Sequence, residues 1–162
     1  MKKNNERLEK LTTTYVPEED RIMVSGQLSD GRTLALWLTQ RLLKMLIPNI
    51  TERLQKMEDS LDSVNTPNVK DKHLEDKNTK SVPVSLSEKS VEEWLVTSVD
   101  ISNNDSTIML VFKRSSLDKV SFIADKSLMN QWLDILKKNF ESASWPLDVW
   151  LENVYSKSSK IN

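Results

Sequence analysis

The 162-residue sequence has no cysteine, and this absence removes several kinds of chemistry at once. Without thiols the chain forms no disulfide, no thiolate-ligated zinc site and no cysteine nucleophile. There are only two glycines, Gly26 and Gly31, so a glycine-rich phosphate-binding loop is not possible. The single histidine, His73, lies in a polar stretch that would not hold it beside a nucleophile and an orienting acid. We therefore expect a protein without enzymatic activity and without a cofactor.

Long apolar runs and a strong charge of one sign are also missing. No run approaches the roughly 20 apolar residues that span a bilayer, and the first residues lack the apolar core of a signal peptide. The 23 basic side chains nearly balance the 24 acidic ones, whereas nucleic-acid binding normally needs clustered basic residues. The adjacent carboxylates of Glu18, Glu19 and Asp20 lack the spacing of a calcium loop, so we interpret them as a turn rather than a metal site. We expect a cytoplasmic protein that binds no membrane and for which nucleic acid is a less favoured partner.

Residues 7–61 carry three strand signals followed by a helix signal. After a Thr-rich stretch of modest strand character, Ile22, Val24 and Leu28 alternate with less apolar residues, as in a strand with one buried face. The Asp-Gly pair in residues 29–32 predicts a hairpin turn, and a second alternating strand follows over residues 34–38. A helix then begins at the cap residue Thr39, with apolar residues every three or four positions from Leu42 to Met57. Proline at position 48 should kink or split this helix.

Residues 62–90 differ from the rest, because polar residues dominate and the apolar ones show no period. Such a segment buries too little apolar area to offset the entropy of ordering, so we predict a flexible polar linker.

Residues 91–155 then repeat the earlier pattern. One strand is expected through Leu95, Val99 and Ile101, a second over 108–112 and a third over 120–124, before a helix capped by Asp125 or Ser127.

The two patterns superpose without a gap when Ile22 is placed on Ile108, an offset of 86 positions. Strands, turns and helix stripes then coincide, which indicates a repeat. Similar patterning without duplication remains the alternative interpretation. In either case we predict an α+β fold of two βββα units, 7–61 and 91–155. These would form one or more antiparallel sheets with two main helices and a short C-terminal amphipathic helix, within one composite domain.

Both faces of the predicted hairpins are apolar. A sheet that is covered on one side only should alternate apolar and polar residues. Here one face, which we assign to the helices, holds residues such as Ile22 and Ile108, and the opposite face is apolar too, with Met23, Ala35, Trp37, Met109, Val111 and Ile123. Either the sheets cover each other within the chain, or the second face meets another subunit or partner.

The C-terminal residues from Pro146 to Tyr155 form a second candidate binding element. Trp150 and Leu151 lie on one helical face of this segment, which could pack on its own domain or enter a groove of a partner. The predicted partner-binding residues are therefore Met23, Trp37, Met109, Val111, Ile123, Trp150 and Leu151.

Two further observations bear on function. Repeated strand-and-helix units are similar in architecture to whirly-type and Pur-type proteins that bind single-stranded nucleic acid. A platform for bases would then draw on Trp37, Trp94, Arg21, Arg32, Lys113 and Arg114. Separately, the segments Tyr15-Val-Pro-Glu-Glu-Asp-Arg21 and Trp37-Leu-Thr-Gln-Arg41 resemble a group of small uncharacterised proteobacterial proteins with Y-V-P-x-E-D-R and W-L-T-x-R segments. That resemblance implies no activity and assigns no site residue.

The function we expect is that of a non-enzymatic interaction protein that associates with itself and binds a protein partner. The binding element would be the second sheet face or the C-terminal segment. The alternative is a single-strand nucleic-acid-binding protein.

Overall fold

The computed structural model describes residues 6–62 and 91–150, and it contains a mixed α+β fold. In chain order the elements are β1 (Glu6–Val16), β2 (Arg21–Leu28), β3 (Thr33–Leu38), α1 (Gln40–Asp62), β4 (Glu92–Leu95), β5 (Ser98–Asn103), β6 (Thr107–Lys113), β7 (Lys119–Asp125) and α2 (Lys126–Ser142). The predicted linker over 62–90 falls, apart from Asp62, outside the described residues, as do His73 and residues 151–155.

One seven-stranded sheet contains all the strands, in the order β4-β3-β2-β1-β7-β6-β5. Neighbouring strands within each half of the chain are antiparallel, but the β1–β7 and β3–β4 pairs, which join the two halves, are parallel. The prediction of purely antiparallel pairing was wrong on this point. Alternation along a strand reports which face is buried and carries no information on the direction of the neighbour.

The residues assigned to the helix-facing side form one continuous core. Both hairpins contribute buried side chains at alternate positions: Ile22, Val24, Leu34, Leu36, Ile108, Leu110, Val120 and Phe122. Helix α1 packs against β5, and α2 packs against β1 as well as against β6 and β7. Each helix therefore lies on a strand from the other half of the chain, so the two halves share their core.

The strand expected through Leu95, Val99 and Ile101 is in fact two strands at opposite edges of the sheet. The Val96 backbone N–H donates to the carbonyl of Trp37 at 3.1 Å, whereas the next N–H, that of Thr97, donates to the carbonyl of Lys113 at 2.9 Å. Two successive residues thus bond to different halves of the chain, and the chain passes here from one edge strand of the curled sheet to the other. Leu95 faces outward as a result, which corrects its predicted place beside Val99 and Ile101.

Helix α1 runs without interruption from Gln40 to Asp62, so Pro48 does not split it. Two side chains donate hydrogen bonds to carbonyls of the preceding turn near the proline: Asn49 Nδ2 to Met45 O at 2.7 Å and Thr51 Oγ1 to Ile47 O at 2.8 Å. The apolar stripe on both sides of Pro48 remains buried, with Ile47 and Ile50 fully inaccessible. Burial of this stripe stabilises the continuous helix despite the backbone hydrogen bond that proline cannot make.

Side-chain caps fix the start of both helices, as predicted. Thr39 Oγ1 accepts from the backbone N–H of Leu42 at 3.2 Å, and Asp125 Oδ1 accepts from that of Leu128 at 2.8 Å. Each cap satisfies one of the four N–H groups that a helix start leaves unpaired. The predicted Asp-Gly turn is also present, since Gly31 adopts φ +89°, a conformation that glycine reaches without strain.

Strand β1 contains a bulge between Leu8 and Lys10, opposite β2. A Cβ atom placed on Gly26 would lie 2.8 Å from Leu8 Cδ2 and 2.9 Å from the Lys10 carbonyl oxygen. The bulged strand therefore approaches β2 more closely than any side chain at position 26 would allow.

Candidate binding surface

The predicted second face exists, and it lies outside the core. Met23 is directly opposite Trp37 on β2 and β3, and Met109 is directly opposite Ile123 on β6 and β7. With Val111, all five are half-buried, and none belongs to the core cluster or to the partly buried residues that pack against it. Ala35 differs from them, because it is fully buried.

A continuous row of side chains crosses four strands of the N-terminal part of the sheet. Thr14 on β1 is opposite Met23, Met23 is opposite Trp37, and Trp37 is opposite Leu95 on β4. We call these four residues the Trp37 row. Leu95, with 42% of its surface exposed, was missed as an outward residue, because the break between β4 and β5 is what turns it outward.

The row next to it contains small side chains and one charge. Thr12, Ser25, Ala35 and Glu93 are opposite one another in that order. Ser25 and Ala35 are buried, at 4% and 0% exposure, between the larger side chains on either side. The two central strands of this face therefore carry no charged side chain at these positions, and depletion of charge is typical of the core of a protein–protein interface.

The outward face of the C-terminal part of the sheet is more polar. Met109 and Ile123 have Ser102 beside them, and Val111 lies between Asp100 and Ser121. Lys113, on the same face, forms an ion pair with Asp100. The C-terminal part of the outward face therefore has apolar residues at its centre, but it lacks a tryptophan and a row such as the Trp37 row in the N-terminal part.

The start of the C-terminal segment packs on its own domain. Residues 148–150 are helical, Val149 is buried, and the Trp150 ring makes an edge contact with Phe140 at 5.7 Å between ring centroids. Trp150 is therefore engaged within the chain, although its Nε1 is buried without a hydrogen-bond partner among the described residues. The other predicted residue of this segment, Leu151, lies outside them.

A cluster of polar and aromatic groups holds the β1–β2 turn to the residues that follow α2. Asp20 Oδ1 accepts from the Tyr15 hydroxyl at 2.8 Å and from Trp145 Nε1 at 2.9 Å, while the Tyr15 and Trp145 rings meet edge to face. These hydrogen bonds, first that from Tyr15, lower the pKa of the Asp20 carboxyl. The bond to Asp20, together with burial and nearby negative charge, raises the pKa of Tyr15. Asp20, with φ 47°, is thus a structural anchor in the Tyr15-to-Arg21 segment.

The basic side chains considered for nucleic acid all have acidic neighbours. Arg21 lies near Glu19, Arg32 near Asp30 and Glu6, Lys113 near Asp100 and Arg114 near Asp118. The bonds to Asp30 and then Glu6 raise the pKa of Arg32, which keeps it charged within that group.

Trp94 was proposed as an aromatic platform, but only 4% of it is exposed. Its indole Nε1 donates to Glu92 at 2.8 Å, and the Arg114 guanidinium lies 4.9 Å from its ring centroid. The ring is therefore covered by the chain's own residues and is not open for a base to stack on it.

In 6–62 and 91–150, no group of three or more His, Cys, Asp or Glu side chains is placed to hold a metal ion. No helix in these ranges is long and apolar enough to cross a membrane.

Comparison with known proteins gave no match, either to a family model, to a curated protein or to a solved structure. The resemblance to the proteobacterial group therefore stays a prediction.

Proposed function

We propose that this chain is a non-enzymatic interaction protein that associates with itself and binds a protein partner through its outward sheet face. The observation that carries the proposal is the Trp37 row, which continues across four adjacent strands outside the core and has the half-buried Met23 and Trp37 at its centre and the exposed Leu95 at its end. Tryptophan and methionine are enriched in interface cores, and tryptophan is among the residues that most often dominate the binding energy.

The row is a better candidate than the C-terminal segment. Trp150 packs against Phe140, so its ring would have to leave the domain before it entered a groove of a partner. Trp37 needs no such rearrangement, because its side chain lies on the sheet face and is not packed in the core.

We also propose that the two halves are copies of one unit. The secondary structure supports this, because three pairs of elements begin 86 positions apart: β2 and β6 at Arg21 and Thr107, β3 and β7 at Thr33 and Lys119, and the two helices at Gln40 and Lys126. Patterning within each half could produce this agreement on its own.

Pairing between the halves gives separate support for duplication. Glu6 is opposite Val120, and Glu92 is opposite Leu34, so both partners shift by the same 86 positions. An offset that also relates the contacts between halves is expected of a duplicated chain whose two copies pack around a pseudo-two-fold axis.

Light scattering on the purified full chain tests the proposed self-association. We expect wild type to be a dimer or larger, and Trp37→Glu to weaken association at least about 30-fold, since it places a charge at the centre of the interface. Thr14→Arg is a second variant in the same row at an exposed position, where folding should tolerate the change. Met45→Glu is the matched control, because Met45 is 65% exposed on α1 and its substitution should leave the mass unchanged.

Two outcomes would overturn this proposal. One is a monomeric wild-type protein over the micromolar range. The other is a folded Thr14→Arg or Trp37→Glu variant, judged by circular dichroism, that associates as well as wild type. If Trp37→Glu unfolds, Thr14→Arg alone decides the question.

The nucleic-acid alternative has less support from the geometry. Its proposed basic residues lie beside carboxylates, and of the two proposed rings Trp94 is buried and Trp37 is half-buried. Titration with mixed single-stranded oligonucleotides at low ionic strength distinguishes the two functions. Salt-sensitive binding that Trp37→Glu weakens would favour nucleic acid over a protein partner.

A further inference from the structure

The edge of the sheet next to the Trp37 row is open. Strand β4 pairs with β3 on one side, and it is the last strand in the sheet order. Within residues 6–62 and 91–150 no strand pairs with its other side. The opposite edge strand, β5, pairs with β6 and is in contact with α1.

The unpaired backbone groups of this edge can be assigned to two residues. The Val96 N–H donates to Trp37 O, so Val96 and, two positions earlier, Trp94 direct their backbone groups toward β3. Since this direction alternates along the chain, Glu93 and Leu95 direct their N–H and C=O groups toward the other side, on which Thr97 donates to Lys113 O and β5 pairs with β6. The open edge is therefore the short stretch of β4 that lies beyond the end of β6.

The side chains of the same two residues are available to a partner. Glu93 and Leu95 both face outward and are both exposed. Glu92 is engaged, near Arg32 at 3.9 Å and Arg114 at 3.7 Å, whereas Glu93 forms no ion pair in the described part of the chain. The open edge therefore presents one free carboxylate and, two residues later, one exposed leucine.

We propose that an extended segment of a partner protein adds to β4 as an eighth strand, with a lysine or arginine beside Glu93 and an apolar residue beside Leu95. This proposal rests on the proposed function, since the added strand would extend the Trp37 row by one side chain beyond Leu95. Main-chain hydrogen bonds supply affinity in this mode of binding, and alternate side chains supply specificity.

The negative charge of Glu93 favours a segment of another protein over a second copy of β4 as the added strand. A short strand with charged side chains is the usual protection of a sheet edge against indiscriminate pairing. A second β4 would bring another glutamate to an edge that already carries Glu93. A basic segment instead neutralises this carboxylate, so the edge selects a partner of opposite charge.

The probe for this proposal is a displayed library of random decapeptides, selected on the full-length protein. We expect enriched peptides to carry a basic residue and an aliphatic residue two positions apart. The decisive variant is Glu93→Pro, which removes an N–H of the open edge. Proline is tolerated at edge positions whose N–H faces solvent, so the β3–β4 pairing should persist. We expect at least about tenfold weaker peptide binding by this variant.

Glu93→Ala is the matched control, because it removes the carboxylate and keeps the N–H. It should weaken binding less than Glu93→Pro and should reduce the preference for the basic residue. Amide hydrogen exchange gives a second readout that needs no variant. In the free protein Glu93 and Leu95 should exchange faster than Trp94 and Val96, and the selected peptide should slow both.

Absence of any enriched peptide would overturn strand addition, as would equal binding by folded Glu93→Pro or unchanged exchange at Glu93 and Leu95 on peptide binding. These failures are separate from failure of the proposed self-association. If Trp37→Glu dissociates the protein but Glu93→Pro binds peptide as wild type does, self-association through the sheet face is supported and strand addition to β4 is wrong. If wild type is monomeric but Glu93→Pro loses the peptide, strand addition is supported and self-association is wrong.

Discussion

The two halves of the chain place similar strands and helices around a shared core, but they fill it differently. Gly26 is the sixth residue of β2, and Phe112 is the sixth residue of β6. Leu46 and Trp132 likewise occupy the same place in α1 and α2. Phe112 and Trp132 meet edge to face at 6.5 Å between ring centroids, where the N-terminal half has a glycine and a leucine.

The bulge in β1 accounts for this difference. It brings Leu8 and the Lys10 carbonyl against Gly26, so backbone and leucine occupy the space above β2 that a side chain would otherwise need. In the C-terminal half the corresponding chain breaks into β4 and β5, and an aromatic pair fills the space instead. The same layout of strands can thus be packed by close backbone approach or by large side chains.

The largest expected effect comes from Phe112→Ala, which would remove the aromatic contact with Trp132 in the C-terminal half. Phe112 is fully buried, and truncation of a buried phenylalanine costs about 3–5 kcal/mol of unfolding free energy. Urea denaturation measures the loss, with Leu117→Ala as a control at an 87% exposed position. A loss under about 1 kcal/mol would mean that the C-terminal half repacks without its aromatic pair.

Gly26→Ala should have a smaller effect, and it tests the close approach of the bulged strand β1 to Gly26 in the N-terminal half. The added methyl group would lie too close to Leu8 and to a backbone carbonyl, and overpacking of this kind costs about 1–3 kcal/mol. Gly31→Ala is a useful contrast, since a Cβ there meets no atom within 4 Å and any cost arises from its positive φ. Stability equal to wild type in the Gly26 variant, measured by the same denaturation, would contradict the proposed close approach.

The smallest effect should come from Asp20→Asn. This substitution replaces the carboxylate of the β1–β2 turn by an amide, which is the group that holds the equivalent β5–β6 turn of the other half. Asp20 is a carboxylate with a lowered pKa, whereas the β5–β6 turn is held by the Asn104 amide oxygen, which accepts from the Ser106 and Thr107 backbones and does not titrate. A lowered folded-state pKa contributes stability above the ordinary pKa of aspartate, and this contribution is lost as pH falls through the lowered value.

Urea denaturation between neutral pH and about pH 3 tests this sign. Wild type should lose more stability on acidification than Asp20→Asn does, and amide exchange should report that loss near Tyr15 and Trp145 rather than near Asn104. Equal acid sensitivity of the two proteins would show that the contacts of Asp20 contribute nothing to folding.

Local periodicity was sufficient to predict most elements. The alternation at Ile22 and Ile108, the helix stripes, and the caps at Thr39 and Asp125 all lie where the sequence indicated, because each depends on residues a few positions apart. The outward position of Met23 and Trp37 followed from the same alternation.

The pairing between the halves could not be predicted in this way. Whether β4 leaves the line of β5 depends on where the N–H groups of Val96 and Thr97 find acceptors, and those acceptors are Trp37 and Lys113, far away in the sequence. The outward turn of Leu95 and the burial of Trp94 both follow from that break. Edge residues of the candidate surface were missed for this reason, whereas residues inside the hairpins were found.

The order of synthesis gives the parallel β3–β4 pair a further consequence. β3 is complete early in translation, yet the strand that covers its outer edge is residues 92–95, and α1 packs on β5, which is made later still. The N-terminal half therefore leaves the ribosome with an unpaired strand edge and a helix without its packing surface. Such intermediates are prone to aggregate, and pairings between distant residues form slowly. This protein should thus complete its fold only after translation of its C-terminal half.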